Sequence, residues 1–178
     1  MNAPTQPPLT PGRTLVGGAP EGYDAKLLAD LVARAGGPVL HVARDDTRVA
    51  SLREALGLLA PGLPVFTFPA WDCLPYDRIS PHGDIAAARM ATLAALAGGF
   101  DRPAVLLTTL NAATQRVPAR ETVAGASFTA RVGRRVDLDA LTDYLGRMGF
   151  HRASTVTEPG DYAVRGGIVD IFPPGQGN

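Results

Sequence analysis

The sequence predicts an α/β fold: a parallel sheet with interleaved helices, followed by the start of a smaller α+β unit. Three observations lead there. Short apolar runs alternate with helix-length stretches of 3.6-residue periodicity up to about residue 125, the pattern of βα units. Beyond that point the pattern changes to period-two alternation around one further amphipathic helix. With 46% hydrophobic residues over a length of 178, the chain can bury a core of ordinary domain size.

The elements follow in order. Residues 1 to 12, rich in Pro and Thr, read as a disordered tail. Thr14-Leu15-Val16 predicts a short first strand. A helix follows with Asp24 as N-cap, Leu27, Leu28, Leu31, Val32 and Ala35 as its apolar face, and Gly36-Gly37 as its stop. Val39 to Ala43 is a strand of buried type. Asp45 or Asp46 caps the next helix, whose stripe is Val49, Leu52, Leu56 and Leu59. Val65 to Phe68 is the third strand, and a long surface loop leads to a helix capped by Asp84, with Ile85, Ala88, Leu93 and Leu96 inward. Ala104 to Thr108 is the fourth strand, and a short helix lies near Asn111 to Gln115. The second unit, from residue 126, begins with an antiparallel-type strand, Ser127 to Val132. Asp137 then caps a helix with Leu138, Leu141, Leu145 and Met148 on one face, closed by Gly149. Two strands end the chain, Ala153 to Thr157 and Tyr162 to Phe172, the second carrying a glycine irregularity. The domain boundaries are therefore a tail over 1–12, an α/β domain over 13–125 and an incomplete α+β unit over 126–178.

Composition narrows the function classes. The formal net charge is zero, so the chain carries no electrostatic footprint for nucleic acid. Cys73 is the single cysteine, which excludes an internal disulfide and suits a reducing, cytoplasmic compartment. No apolar run reaches membrane-spanning length, and the N-terminus lacks the pattern of a secretory signal.

Four groups of residues invite a chemical reading. The turn Gly17-Gly18-Ala19-Pro20-Glu21-Gly22-Tyr23-Asp24-Ala25-Lys26 has the glycine spacing of a phosphate-binding loop, G-x-x-x-x-G-K-[ST]. Its chemistry is missing. Tyr23 stands at the lysine position, Asp24 at the magnesium-hydroxyl position, and Lys26 comes too late. Glu21 and Asp24 also place negative charge where a phosphate would bind. Gly17, Gly22, Tyr23 and Asp24 thus read as a degenerate, non-functional phosphate loop or an ordinary βα turn. The segment with Asp72, Cys73, Asp77, His82 and Asp84 lacks metal-ligand spacing, so no metal site is expected and its acids read as turn and cap residues. His41 and His151 read as structural, and Arg131, Arg134 and Arg135, interleaved with Asp137 and Asp139, as a solvated face. No catalytic residue is expected.

Arg165 stands apart. It sits between the turn at Pro159-Gly160 and the strand formers Ile168, Val169, Ile171 and Phe172, where a side chain is held yet faces solvent. Read from the residues alone, it is a surface arginine paired with Asp161 or Asp170.

Two stretches carry a family resemblance: Glu158-Pro159-Gly160-Asp161-Tyr162-Ala163-Val164-Arg165-Gly166-Gly167-Ile168-Val169-Asp170-Ile171-Phe172-Pro173-Pro174-Gly175, and the run from Phe68 to Arg89 with Trp71, Leu74-Pro75-Tyr76-Asp77 and Ser80-Pro81-His82. Together they resemble the N-terminal excision-repair module of bacterial transcription-repair coupling factors (Mfd), which is shared with UvrB. The likeness covers roughly residues 15 to 175. It implies a RecA-like, P-loop NTPase-type sheet whose phosphate loop has decayed, followed by an incomplete UvrA-binding domain in a truncated module. It implies that Arg165, in an R-G motif, contacts UvrA, and that an arginine and a phenylalanine on a following strand would fall after Asn178. It implies no cofactor and no enzymatic activity here. ATP and magnesium would serve a separate motor, and RNA polymerase and DNA would be met by other parts of the intact protein. The UvrB hairpin that grips damaged DNA has no room between Tyr76 and Asp84. The alternatives are a small nucleotide-binding enzyme using the Gly17–Lys26 turn and a DNA-binding module of UvrB type.

Overall fold

A computed structural model describes residues 7, 9–20, 22–73, 81–126, 128, 130–158 and 160–173. Most of the expected tail (1–6 and 8), Glu21, the stretch 74–80 with Tyr76 and Asp77, Ser127, Pro159, Pro174 and Gly175 lie outside the described residues. The chain divides into two compact units, Met1–Trp71 with Gly98–Arg116, and Asp72–Ala97 with Val117–Asn178.

The first unit contains α1 (Tyr23–Ala35), β1 (Val39–Ala43), α2 (Asp46–Leu59), β2 (Val65–Phe68), then β3 (Val105–Thr109) and α4 (Leu110–Ala113), with α3 (Gly83–Gly98) lying between β2 and β3 in sequence. Its three strands run parallel in the order β1-β3-β2, so β3 is central. All five β3 residues are buried, which explains its unbroken apolar and threonine sequence. Ala25, Leu28 and Val32 of α1, Leu52 and Leu56 of α2, and Val105 and Leu107 form the core, with Val39, Val49 and Val65 packed against it. Thr108 Oγ1 donates to the Phe68 carbonyl at 2.8 Å, which satisfies a buried hydroxyl. Gly36 closes α1 at φ 64°, with its N–H on the Val32 carbonyl, as the sequence predicts.

Several elements depart from expectation. Thr14-Leu15-Val16 forms no strand; Leu15 is 89% exposed, and among the described residues nothing pairs with the outer edge of β1. Three strand formers between Gly12 and Gly17 cannot offset their ordering cost without a partner. Asp24 is not the N-cap of α1: Gly22 takes that position at φ 83°, and Asp24 lies in the first turn. The face of α1 is rotated, since Ala25 is buried and Ala35 exposed. Leu59 of α2 is exposed too, while Leu52 and Leu56 are buried as expected. Asp45 caps α2 by accepting from Arg48 N at 2.8 Å.

The second unit contains α3, α5 (Arg120–Gly125), α6 (Leu138–Arg147), β4 (His151–Arg152), β5 (Asp161–Arg165) and β6 (Ile168–Ile171). Asp84 does not cap α3 from outside. The helix starts at Gly83, and the His82 carbonyl accepts from Ile85 N and Ala86 N. Its most buried residues are Arg89 and Thr92, whereas Leu96 is exposed. Burial lowers the Arg89 pKa. Arg120 donates Nε and Nη2 to the Ala97 carbonyl near the end of α3, covering a helix terminus. Among the described residues of 127–132 there is no strand, and Val132 is fully exposed. Asp137 caps α6, accepting from Asp139 N and Ala140 N. Leu141 and Leu145 are buried, but Met148 is not.

The mixed sheet has the order β4-β5-β6, with β4 parallel and β6 antiparallel to β5. The expected strand at Ala153–Thr157 is absent, and β4 ends at Arg152. The N–H groups of Thr157 and Glu158 go instead to the Asp161 carboxylate, at 3.3 and 3.1 Å. A side chain that satisfies backbone donors competes with the ladder. The stretch Tyr162–Phe172 is a hairpin rather than one irregular strand.

Candidate interaction surface

The hairpin that carries Arg165 is built from its turn outward. Gly166 and Gly167 join β5 to β6 at φ 55° and 89°, two consecutive positive values that a two-residue turn of type I′ requires. Register follows from that turn: Arg165 faces Ile168, Val164 faces Val169, Ala163 faces Asp170 and Tyr162 faces Ile171. Successive side chains point to opposite sides. Tyr162, Val164 and Val169 pack against Leu141 and Leu145 of α6. Arg165, Ile168 and Asp170 therefore lie on the other face.

The base of the hairpin is tied by Asp161. Besides accepting from Thr157 and Glu158, its backbone carbonyl accepts from Phe172 N at 2.9 Å, and Gly160 N donates to the Phe172 carbonyl at 2.7 Å. The backbone hydrogen bonds from Glu158 and Thr157 hold the Asp161 carboxyl below the ordinary carboxylate range; desolvation opposes them, and His151 at 3.7 Å adds a small pull in the same direction.

Arg165 is 62% exposed and Asp170 46%, with Nη2 donating to Oδ2 at 2.8 Å. The carboxylate partner is Asp170 and not Asp161, of the two that the sequence offers. Sequence reading missed the hairpin and hence the residue opposite Arg165, Ile168, which is 65% exposed. The signal was there: Gly-Gly between two runs of strand formers is hairpin chemistry.

The glycine-spaced turn is placed differently. Gly17 and Gly18 are exposed, and Gly22 leads into α1. Tyr23 N donates to the Pro20 carbonyl at 3.1 Å and Ala25 N to the Gly22 carbonyl at 3.2 Å, so the backbone there folds on itself. The Asp24 carboxylate receives Arg48 Nη2 at 2.6 Å and Nε at 3.2 Å, from the first turn of α2. Nothing local announced Arg48 as the partner, since it lies 24 residues away in sequence. His41 on β1 is half-buried, and burial lowers its pKa, with Asp24 opposing and Arg48 assisting. Arg48 also lines an open depression of about 380 Å³ with Arg44, Asp45, Thr47 and Ser51; Arg44 is held by Asp45 at 2.8 Å.

Around the long loop, Trp71 N donates to Gln115 Oε1 at 3.0 Å, and His82 N reaches the Asp72 carboxylate at 3.3 Å. Cys73 is half-buried. Among the described residues, no three His, Cys, Asp or Glu side chains are placed to hold a metal ion, and no helix is long and apolar enough to cross a membrane.

Comparison with known proteins bears on this hairpin directly. Residues 128–178 match the model of the UvrB interaction domain, the segment that contains β5 and β6. The chain is 33% identical over 152 residues to the transcription-repair-coupling factor of Escherichia coli (strain K12), covering 85% of this chain and 13% of that protein. The transcription-repair-coupling factor of Haemophilus influenzae is 28% identical over 173 residues, 97% of this chain and 15% of its own length. That of Myxococcus xanthus is 33% identical over 165 residues, 88% of this chain and 13% of its own. The chain thus spans about one seventh of the length of these relatives. Over most of its own length it is a homologue of the transcription-repair-coupling factors, and its C-terminal part matches the UvrB interaction domain.

Proposed function

We propose that the chain is a recruitment module that binds UvrA and so brings nucleotide excision repair to a stalled RNA polymerase. The observation that carries this reading is the match of residues 128–178 to the UvrB interaction domain, with Arg165 exposed on a pinned hairpin inside that segment. A guanidinium suits a protein–protein contact because its planar fork makes several charge-assisted hydrogen bonds to one carboxylate. Residues 13–125 are then a RecA-like α/β domain without a working phosphate loop, and residues 126–178 the beginning of the UvrA-binding domain. Contacts with DNA and RNA polymerase, and any ATP-driven motion, belong to other parts of the longer relatives. The module itself performs no chemistry.

The test is a calorimetric titration of the full chain with UvrA. Arg165→Ala is expected to weaken binding by about 2 kcal/mol, the loss typical of an interface arginine that anchors a contact. An unchanged affinity, with the variant still folded, overturns the assignment of Arg165.

A further inference from the structure

We propose that Asp170 is a positioning residue that orients the Arg165 guanidinium for its partner, and that Ile168 forms the apolar half of the same contact. The inference rests on the reading of Arg165 as a UvrA contact and adds two residues to it. Ile168 lies directly across the ladder from Arg165, and Asp170 two residues further along β6. That diagonal is within reach of a long side chain, and Nη2 meets Oδ2 at 2.8 Å. Ala163, which faces Asp170 directly across the ladder, contributes only a methyl group on that side. The pair uses one of the five guanidinium N–H groups, leaving the others to receive a second carboxylate.

A free surface arginine samples many rotamers and loses that freedom on binding; one already held loses less. Ile168 beside it is 65% exposed, and its position next to the Gly166-Gly167 turn fixes it relative to Arg165. Together they present a cation and an apolar side chain a fixed distance apart. The complementary feature on UvrA is a carboxylate flanked by an apolar residue.

Asp170 could act with the opposite sign, as an internal competitor for the same guanidinium. The geometry favours positioning. Contact is made through a single nitrogen, and repulsion between two half-exposed carboxylates is screened by water and salt. The signs separate the two roles. Asp170→Ala is expected to weaken UvrA binding about three- to tenfold, the range for ordering one rotamer-rich side chain, and to change nothing further in an Arg165→Ala background. Tighter binding, or the same loss in both backgrounds, overturns positioning. Ile168→Thr, which keeps strand propensity, is expected to weaken binding about threefold or more; an unchanged affinity removes Ile168 from the contact. A ¹⁵N NMR measurement on the unbound chain separates this inference from the UvrA reading. Hindered rotation of the Arg165 Nη2 amino group about its Cζ–Nη2 bond, and slowed exchange of its protons, are expected in the parent chain and lost in Asp170→Ala. If the parent chain binds no UvrA, the recruitment reading fails, while identical Arg165 dynamics in both chains overturn positioning by themselves.

Discussion

Asp161 decides how the surface that carries Arg165 is held. Its carboxylate accepts the N–H groups of Thr157 and Glu158, and its backbone closes the base of the hairpin onto Phe172. These bonds favour the ionised form, so the folded pKa lies below the unfolded one. The sign follows from proton linkage: the unfolded chain binds the proton more readily, so the contribution is complete above about pH 4 and is lost as pH falls through the lowered folded value. Asp161→Ala is therefore expected to lower the melting temperature at pH 7, and the gap between variant and parent should narrow steadily below pH 4. A gap that is independent of pH would mean that the carboxylate's charge plays no part. Asp24 shows the same economy at the other end of the chain. In sequence it reads as a helix cap. In the structure its oxygens serve Ala25 N and Arg48, and the cap position falls to Gly22 because only a left-handed residue fits there.

Elements whose signals are local were legible in the sequence. Asp45 and Asp137 cap the helices that their side chains predict, Gly36 and Gly149 end theirs at positive φ, and β1, β2 and β3 form within one residue of the apolar runs. Elements that depend on partners were not. Thr14–Val16 has strand-forming residues but, among the described residues, no neighbour to pair with, and beyond Ala153, whose N–H still reaches the Tyr162 carbonyl, Thr157 gives its N–H to a side chain four residues ahead. The short helix α5 has no side-chain cap to announce it. Of the candidate surface, Arg165 and its carboxylate neighbours were readable, while Ile168 needed the register. That register depends on the turn, which gives a direct check. Gly166→Asn is expected to be nearly neutral, because asparagine tolerates the left-handed region at the first position of such a turn. Gly167→Val should cost roughly 1–2 kcal/mol, since a β-branched residue at φ 89° is strained although nothing crowds its Cβ. Urea denaturation of the two variants reads both values. Equal losses would mean that the turn does not set the register.

At the scale of the whole molecule, charge and topology bear on the nucleotide-binding alternative. The chain is neutral overall, so it offers no long-range field to gather a polyphosphate. Locally, the N-terminus of a helix after a glycine-rich turn is the natural place for a phosphate, because free N–H groups and the helix dipole converge there. In α1 that position already holds the Asp24 carboxylate, neutralised by Arg48 from α2. A phosphate entering the turn would meet a like charge and would have to take Arg48 away from its partner. No strand precedes the turn to fix it, since Thr14–Val16 is unpaired among the described residues. Magnesium-ATP is therefore expected to bind no more tightly than about 1 mM, a free energy of only about 4 kcal/mol. Titration with a fluorescent ATP analogue, competed with ATP itself, measures this. Submillimolar affinity that disappears in Arg48→Ala would restore the Gly17–Lys26 turn as a nucleotide site. Submillimolar affinity that survives Arg48→Ala and Tyr23→Ala would place a nucleotide elsewhere on the chain. Either result would add nucleotide binding to the proposed recruitment role.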